Sequence, residues 1–304
     1  MGEVFLPPVP RTRLTLTQQL LRAVLVNLPI FCRRTVYDFC LKVCRKPYPL
    51  PIYRLPFGLV LKVGSTNGIR NEACALKLLH TCVGGVSYPA FFDCVPSKNP
   101  KKSYMVSTWI SGDCVLDVWD SLSDADREMF EKDLHDQCKA LRYGTQTSNH
   151  VISNAAGEAV SDFRVPWISD KPRTFADCQE FGPQIWIGMD HDMVPARVAL
   201  RPIMLPIIHR PNIPVSLCHR DIVPKNMIFP GGLKDWRTGR SRICLIDWEQ
   251  AGWMPVYWDA LKATWMELEK DTEWFEMARR IFPEDRDFLD ADWEWRSRSG
   301  ITIL

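Results

Sequence analysis

The chain has 304 residues, 46% hydrophobic and 24% charged, with 38 Lys and Arg against 36 Asp and Glu and a formal net charge of +2. This describes a soluble globular protein with core enough for two lobes. The near-neutral balance excludes the basic footprint of a nucleic-acid binder. Eleven cysteines, without a CxxC pair, give neither a disulfide framework nor a zinc site. Most sit in apolar runs as small hydrophobes, which fits a reducing, cytoplasmic setting. The apolar run 20–32 is interrupted by Arg22, Asn27 and Pro29 and is too short to span a bilayer. The start lacks a secretory pattern, and Leu6 is a poor myristoylation context. The expectation is no nucleic-acid partner and no membrane partner; the oligomeric state is left open.

Residues 1–14 are a Pro-rich arm, and Thr15 to Cys44 predicts one or two helices broken at Pro29. Residues 1–47 therefore read as a helical appendage packed on the first lobe. Tyr48 to Val63 predicts two short strands around Leu55-Pro56-Phe57-Gly58. Lys62 lies inside the apolar run Leu59 to Val63, where an edge-strand lysine would reach solvent. Gly64 to Gly68 predicts a loop. Ile69 to Leu79 predicts a helix with Glu72 in its first turn, a position that also suits the helix dipole. Val86 to Cys94 and Ser103 to Ile110 predict strands around an exposed tip at Ser97 to Lys102.

Leu116 to Arg142 is the clearest helical region, with Ser123 and Asp126 as an imperfect capping box. Phe130, Leu134, Cys138 and Leu141 form one apolar stripe, and His135 beside it reads as a surface or boundary residue. Tyr143 to Trp186 lacks periodicity, and such a long irregular stretch is disordered or functional. Phe175 to Gly188 begins the next helix. Asp190-His191-Asp192 cannot turn all three side chains to one ion from a regular element. Asp259 to Met277 predicts a helix. Asp285, Asp287, Asp290, Asp292 and Glu294 read as a solvated acidic face, or alternatively as a wall for a cationic substrate. Trp258, Trp265, Trp274, Trp293 and Trp295 read as core rather than as a cation cage.

The chemistry concentrates in two stretches. Val215 to Phe229 places His219, Asp221 and Asn226 between two apolar runs, and Ile243 to Ile246 ends in Asp247-Trp248-Glu249. Strand, loop, strand and hairpin would bring these oxygen-bearing groups together. Asp221 is then a candidate base, and Asn226 and Asp247 are candidate magnesium ligands, the equipment of phosphoryl transfer.

His219-Arg220-Asp221, followed five residues later by Asn226 and then by a strand ending in Asp247, resembles the catalytic and metal-binding loops of the kinase-like superfamily. Asp247-Trp248-Glu249 and the segment Ala251 to Asp259 are similar to the aminoglycoside phosphotransferase and choline kinase-like family, particularly its fungal subgroup. The resemblance covers roughly Pro51 to Thr264. One departure is Arg220, where this branch more often has Gly.

The resemblance implies an α+β, two-lobed protein kinase-like fold with a small β-rich N-lobe and a larger, mainly helical C-lobe. Residues 48–110 would bind the nucleotide, and 111–304 would carry catalysis and the substrate. It implies ATP and Mg2+ as cofactors and a hydroxyl-bearing small molecule as substrate. Lys62 and Glu72 would pair against the ATP phosphates, and Asn226 and Asp247 would hold the metal. Asp221 would serve as the catalytic base. Tyr104 to Gly112 resembles the hinge, so Thr108 and Ile110 would meet the adenine. Asp162 and Arg164 become pocket candidates, His219 a loop support, Trp248 packing, and Glu249 a supporting group. No glycine-rich phosphate loop precedes Lys62, which argues more against a protein kinase than against a small-molecule kinase. No Ala-Pro-Glu segment follows Asp247. A non-catalytic pseudokinase of the same fold is the alternative.

Overall fold

A computed structural model describes residues 6–9, 12–47, 50–148, 151–189 and 194–300, apart from the side chains of 169 and 170. In chain order its elements begin with α1 (Leu16–Val26), α2 (Ile30–Val43), β1 (Ile52–Leu55), β2 (Leu59–Ser65) and α3 (Thr66–Cys82). Next come β3 (Phe91–Pro96), β4 (Lys102–Thr108), β5 (Gly112–Cys114), α4 (Val115–Val118) and α5 (Asp124–Thr145). They continue with β6 (Ser153–Asn154), α6 (Cys178–Ile185), α7 (Pro195–Ile208), β7 (Val215–Cys218), β8 (Met227–Pro230) and α8 (Leu233–Arg237). The last are β9 (Cys244–Leu245), β10 (Gly252–Pro255), α9 (Trp258–Thr264), α10 (Glu273–Ile281) and α11 (Arg286–Arg298). Two compact units result: Met1–Arg127 with Pro224–Gln250, and Glu128–Val223 with Ala251–Leu304.

The first unit contains an antiparallel sheet ordered β1-β2-β4-β3. Leu55 pairs with Leu59 across the β1–β2 turn. Phe57 and Gly58 close that turn with φ of 62° and 67°. Gly tolerates this conformation; Phe57 holds it while its carbonyl accepts from Gln18 Nε2 of α1 at 2.9 Å. Side chains alternate across β2. Leu59 and Leu61 join Tyr104, Val106, Phe92, Val95 and Tyr37 of α2 in one buried cluster. Lys62, one residue out of phase, faces α3. Full burial of each such apolar side chain contributes about 1.5–3 kcal/mol. α1 and α2 thus cover the far face of the sheet, and Pro29, at the N-cap of α2, separates them as expected.

α3 begins earlier than the sequence suggested. Ser65 Oγ accepts from the Gly68 amide at 3.1 Å, so Thr66–Gly68 are helical rather than loop. Glu72 consequently lies in the second turn, and no acidic residue occupies the first. The buried residues Ile69, Ala73, Leu76 and Leu79 follow helical spacing. A second sheet in this unit is ordered β5-β8-β9.

The second unit surrounds a sheet ordered β6-β10-β7. Phe130, Leu134, Cys138 and Leu141 of α5 are all buried, and Trp258 and Trp295 join the core. The helical region expected over Leu116 to Arg142 comprises α4 and α5, the main helix beginning after Ser123 as expected. Its cap forms reciprocally: Ser123 Oγ accepts from the Asp126 amide at 3.2 Å, and Asp126 accepts from the Ser123 amide at 2.8 Å. Asp259 to Met277 is also divided, because Thr272 caps a new helix by accepting from the Phe275 amide. α7 has no counterpart in the sequence reading; Pro195, Pro202 and Pro206 mask its period, two of them inside the helix.

Candidate active site

In the first unit, β2 and α3 converge on one ammonium. Lys62 Nζ lies 2.8 Å from Glu72 Oε2 and 3.1 Å from Glu249 Oε2, and it also bonds Asp247 Oδ1. Asp247 and Glu249 follow β9 in sequence. Ile246 donates its amide to the Asn226 carbonyl at 2.9 Å, and Asp247 then turns with φ 64°. Trp248 is fully buried and donates Nε1–H to the Leu245 carbonyl at 2.9 Å, the packing role expected of it. Asn71 Nδ2 donates to the Glu249 carbonyl at 2.9 Å. The packed indole and this hydrogen bond fix the segment against α3.

Burial alone would lower the Lys62 pKa, but Glu72, Asp247 and Glu249 outweigh it and raise the pKa above its ordinary value. Burial pushes Glu72 up to about 7 despite the adjacent ammonium, since full ionisation would leave three carboxylates around one cation. Glu72, Asp247 and Glu249 offer oxygen atoms within 4.8 Å of one another. Hard oxygen donors carrying excess negative charge fit Mg2+.

Asn226 is buried in the same unit, at the end of the turn Pro224–Asn226. Its backbone is tied to the residue before Asp247. Thr108 ends β4, with its amide on the Ala90 carbonyl at 3.0 Å and its Oγ1 accepting from the Ala90 amide at 2.8 Å. The Trp109 amide is engaged by Gly58. Among the described residues, no partner takes the backbone groups of Ile110.

Asp221 belongs to the second unit, on the loop after β7. Its amide donates to His219 Nδ1 at 3.2 Å, and His219 is itself buried. Asp259, at the start of α9, accepts the amides of His219 at 3.1 Å and Arg220 at 2.7 Å. Sequence reading missed this anchor; its signal was an acid next to Trp258 in the segment singled out by resemblance.

Arg220 has a φ of 69° and a buried side chain. It donates to Asp162 at 2.8 Å and to the Ser161 carbonyl at 2.5 Å. Lys262 Nζ also donates to Asp162 at 2.8 Å. Burial would raise the Asp162 pKa, but Arg220 and Lys262 hold it well below the carboxylate range. Arg164 is ion-paired with Asp292. Asp162 and Arg164 are thus members of a buried charge network rather than exposed pocket side chains.

The acidic stretch at the C-terminal end is solvated only in part: Asp285 and Asp292 are buried, whereas the side chains of Asp287, Asp290 and Glu294 remain partly exposed. Asp285 pairs with Arg142, Asp287 with Arg210, Asp290 with Arg279, Asp292 with Arg164 and Glu294 with Arg298. Asp190-His191-Asp192 lies outside the described residues.

Residues 59–291 match the phosphotransferase enzyme family, and the chain belongs to that family. No curated protein matches the sequence significantly. Among solved structures, aminoglycoside phosphotransferase APH(4)-Ia is 15% identical over 86% of this chain and 88% of that chain, with a TM-score of 0.55. A thermostable mutant of that enzyme, in ternary complex with ADP and hygromycin B, is 14% identical over 86% and 87%, also at 0.55. The GDP complex of wild-type aminoglycoside 2'-phosphotransferase-IIIa is 12% identical over 86% and 85%, at 0.52. At these identities the likeness establishes the kinase-like, mixed α+β fold expected from the motifs.

Proposed function

We propose that this protein transfers the terminal phosphoryl group of ATP to a hydroxyl of a small molecule, with Mg2+ as cofactor. The observation that carries this reading is the ammonium of Lys62, held by the buried carboxylate of Glu72 at 2.8 Å beside Asp247 and Glu249. Membership of the phosphotransferase family supports it. So does the similar structure in ternary complex with ADP and hygromycin B.

Lys62 binds phosphate oxygens, and Glu72 holds it in place. Asn226 and Asp247 would hold Mg2+, which would supply charge neutralisation at the phosphates. Asp221 orients the acceptor hydroxyl and accepts its proton. Thr108 and Ile110 flank the adenine, with Ile110 offering its backbone groups. Residues 48–110 act as the nucleotide lobe, 111–304 as the catalytic and substrate lobe, and 1–47 as an appendage. The segment Ala251 to Asp259 supports a place in the fungal subgroup. The reaction belongs to the cytoplasm, consistent with the cysteine usage.

The test is a titration of Mg-ATP against the full chain and its Asp247→Ala and Lys62→Ala variants, followed by turnover on a metabolite library read as a mass gain of one phosphate. Loss of Mg-ATP binding in both variants and a phosphorylated small molecule from the wild type are expected. Unchanged binding in both variants would overturn the reading.

A further inference from the structure

Ten of the twenty-one exposed large apolar side chains among the described residues lie between Leu16 and Val43. Nine of them lie on α1 and α2, and Leu28 lies between the two helices. Along α1, Leu16, Leu20 and Val24 are 73%, 62% and 68% exposed at a spacing of four residues. Along α2, Phe31, Phe39 and Val43 are 67%, 62% and 60% exposed. The opposite sides already carry out what the fold needs: Gln18 bonds the β1–β2 turn, and Tyr37, Leu21, Leu25 and Leu41 cover the sheet. A helix apolar on both sides is ordinarily buried on both, and an apolar patch this concentrated marks an interaction surface.

Charge selects the occupant. Residues 1–47 contain eight Lys and Arg against two Asp and Glu. Arg13, Arg22, Lys42, Arg45 and Lys46 are exposed and have no carboxylate partner among the described residues. Beside α1 opens a cleft of about 660 Å³, lined by Arg13, Arg22 and Lys77 and by no acidic residue. A second copy would present the same positive charge and repel this face, whereas an anionic surface would attract it. No described helix is long and apolar enough to cross a membrane. The helices of 11 and 14 residues are of a length to lie on a bilayer, not to span it.

We propose that the outer face of α1 and α2 docks the protein on an anionic lipid surface. Leu16, Leu20, Val24, Phe31, Phe39 and Val43 enter the acyl boundary, and the flanking cations meet the headgroups. This departs from the absence of a membrane partner expected from the sequence, and it is independent of the proposed reaction.

The test is flotation of the full chain with vesicles of phosphatidylcholine alone or with phosphatidylserine added, across a salt series. Binding only to the phosphatidylserine vesicles, weakening with salt, is expected. The Leu20→Glu/Phe39→Glu variant should bind roughly tenfold or more weakly. The Lys42→Ala/Arg45→Ala/Lys46→Ala variant should bind more weakly and with a shallower salt dependence. The altered side chains are exposed, so an unchanged thermal midpoint checks that each variant is folded. Binding to neither vesicle overturns the proposal, as does binding indifferent to the glutamates. A wild-type dimer in light scattering that becomes monomeric in Leu20→Glu/Phe39→Glu would assign the face to a second copy and overturn it too.

Discussion

Arg220 adopts a φ of 69° while its buried guanidinium bonds Asp162 at 2.8 Å. The two facts are linked. Left-handed backbone costs a non-glycine residue about 1–2 kcal/mol; glycine, more usual here in the branch this chain resembles, would enter it freely. Here the ion pair and the Asp259 carboxylate, which accepts the His219 and Arg220 amides, hold the loop in that conformation.

Arg220→Gly should therefore destabilise the protein despite relieving the backbone. Breaking a buried ion pair costs about 3–5 kcal/mol, and the relief returns about 1–2 kcal/mol. A net loss of about 1–4 kcal/mol is expected in urea unfolding. Adding Asp162→Asn should deepen the loss, because it would leave the buried Lys262 ammonium without its carboxylate.

Lys62→Met should lower turnover by about 10²–10³-fold, the cost of losing one preorganised charged group at the phosphates. It should also destabilise the protein more at pH 8 than at pH 5. Burial has already raised Glu72 to about 7, and removing the neighbouring cation raises it further. A raised carboxyl contributes stability at low pH that is lost as pH rises through its folded pKa. Thermal midpoints of the variant at the two pH values, beside those of Lys62→Met/Glu72→Leu, check this.

Glu249→Gln should raise the Mg2+ concentration needed for half-maximal turnover by about tenfold, or ~1.4 kcal/mol. It removes one of three clustered carboxylates while leaving Lys62, Glu72 and Asp247 in place. Asp247→Asn should raise that concentration further. An activity titration in Mg2+ distinguishes the two.

Asp285 is buried beside Arg142, and burial raises its pKa from 3.8 to about 6. The folded state then binds the proton more tightly than the unfolded chain. Its stabilising contribution is complete below pH 3.8 and fades as pH rises through 6, about 3 kcal/mol in all. The stability of the wild type relative to Asp285→Asn should therefore increase as pH falls from 7 to 4, measured by denaturant unfolding.

The sequence by itself determined the family and the local elements that carry its motifs. His219, Asp221, Asn226 and Asp247 fall in short polar breaks between apolar strands, a pattern written in nearest neighbours and spacing. The α5 stripe and the break at Pro29 are likewise local, governed by helical period and by proline's missing donor. Tertiary structure alone decided which charges meet. Glu249 joins Lys62 because a buried indole and Asn71 hold its segment against α3. Asp162, Asp285 and Asp292 pair with Arg220, Arg142 and Arg164, remote in sequence, since a buried charge must find a partner wherever the fold supplies one. The outer face of α1 and α2 was equally hidden: an apolar residue looks the same in a sequence whether it packs on a sheet or points away from it.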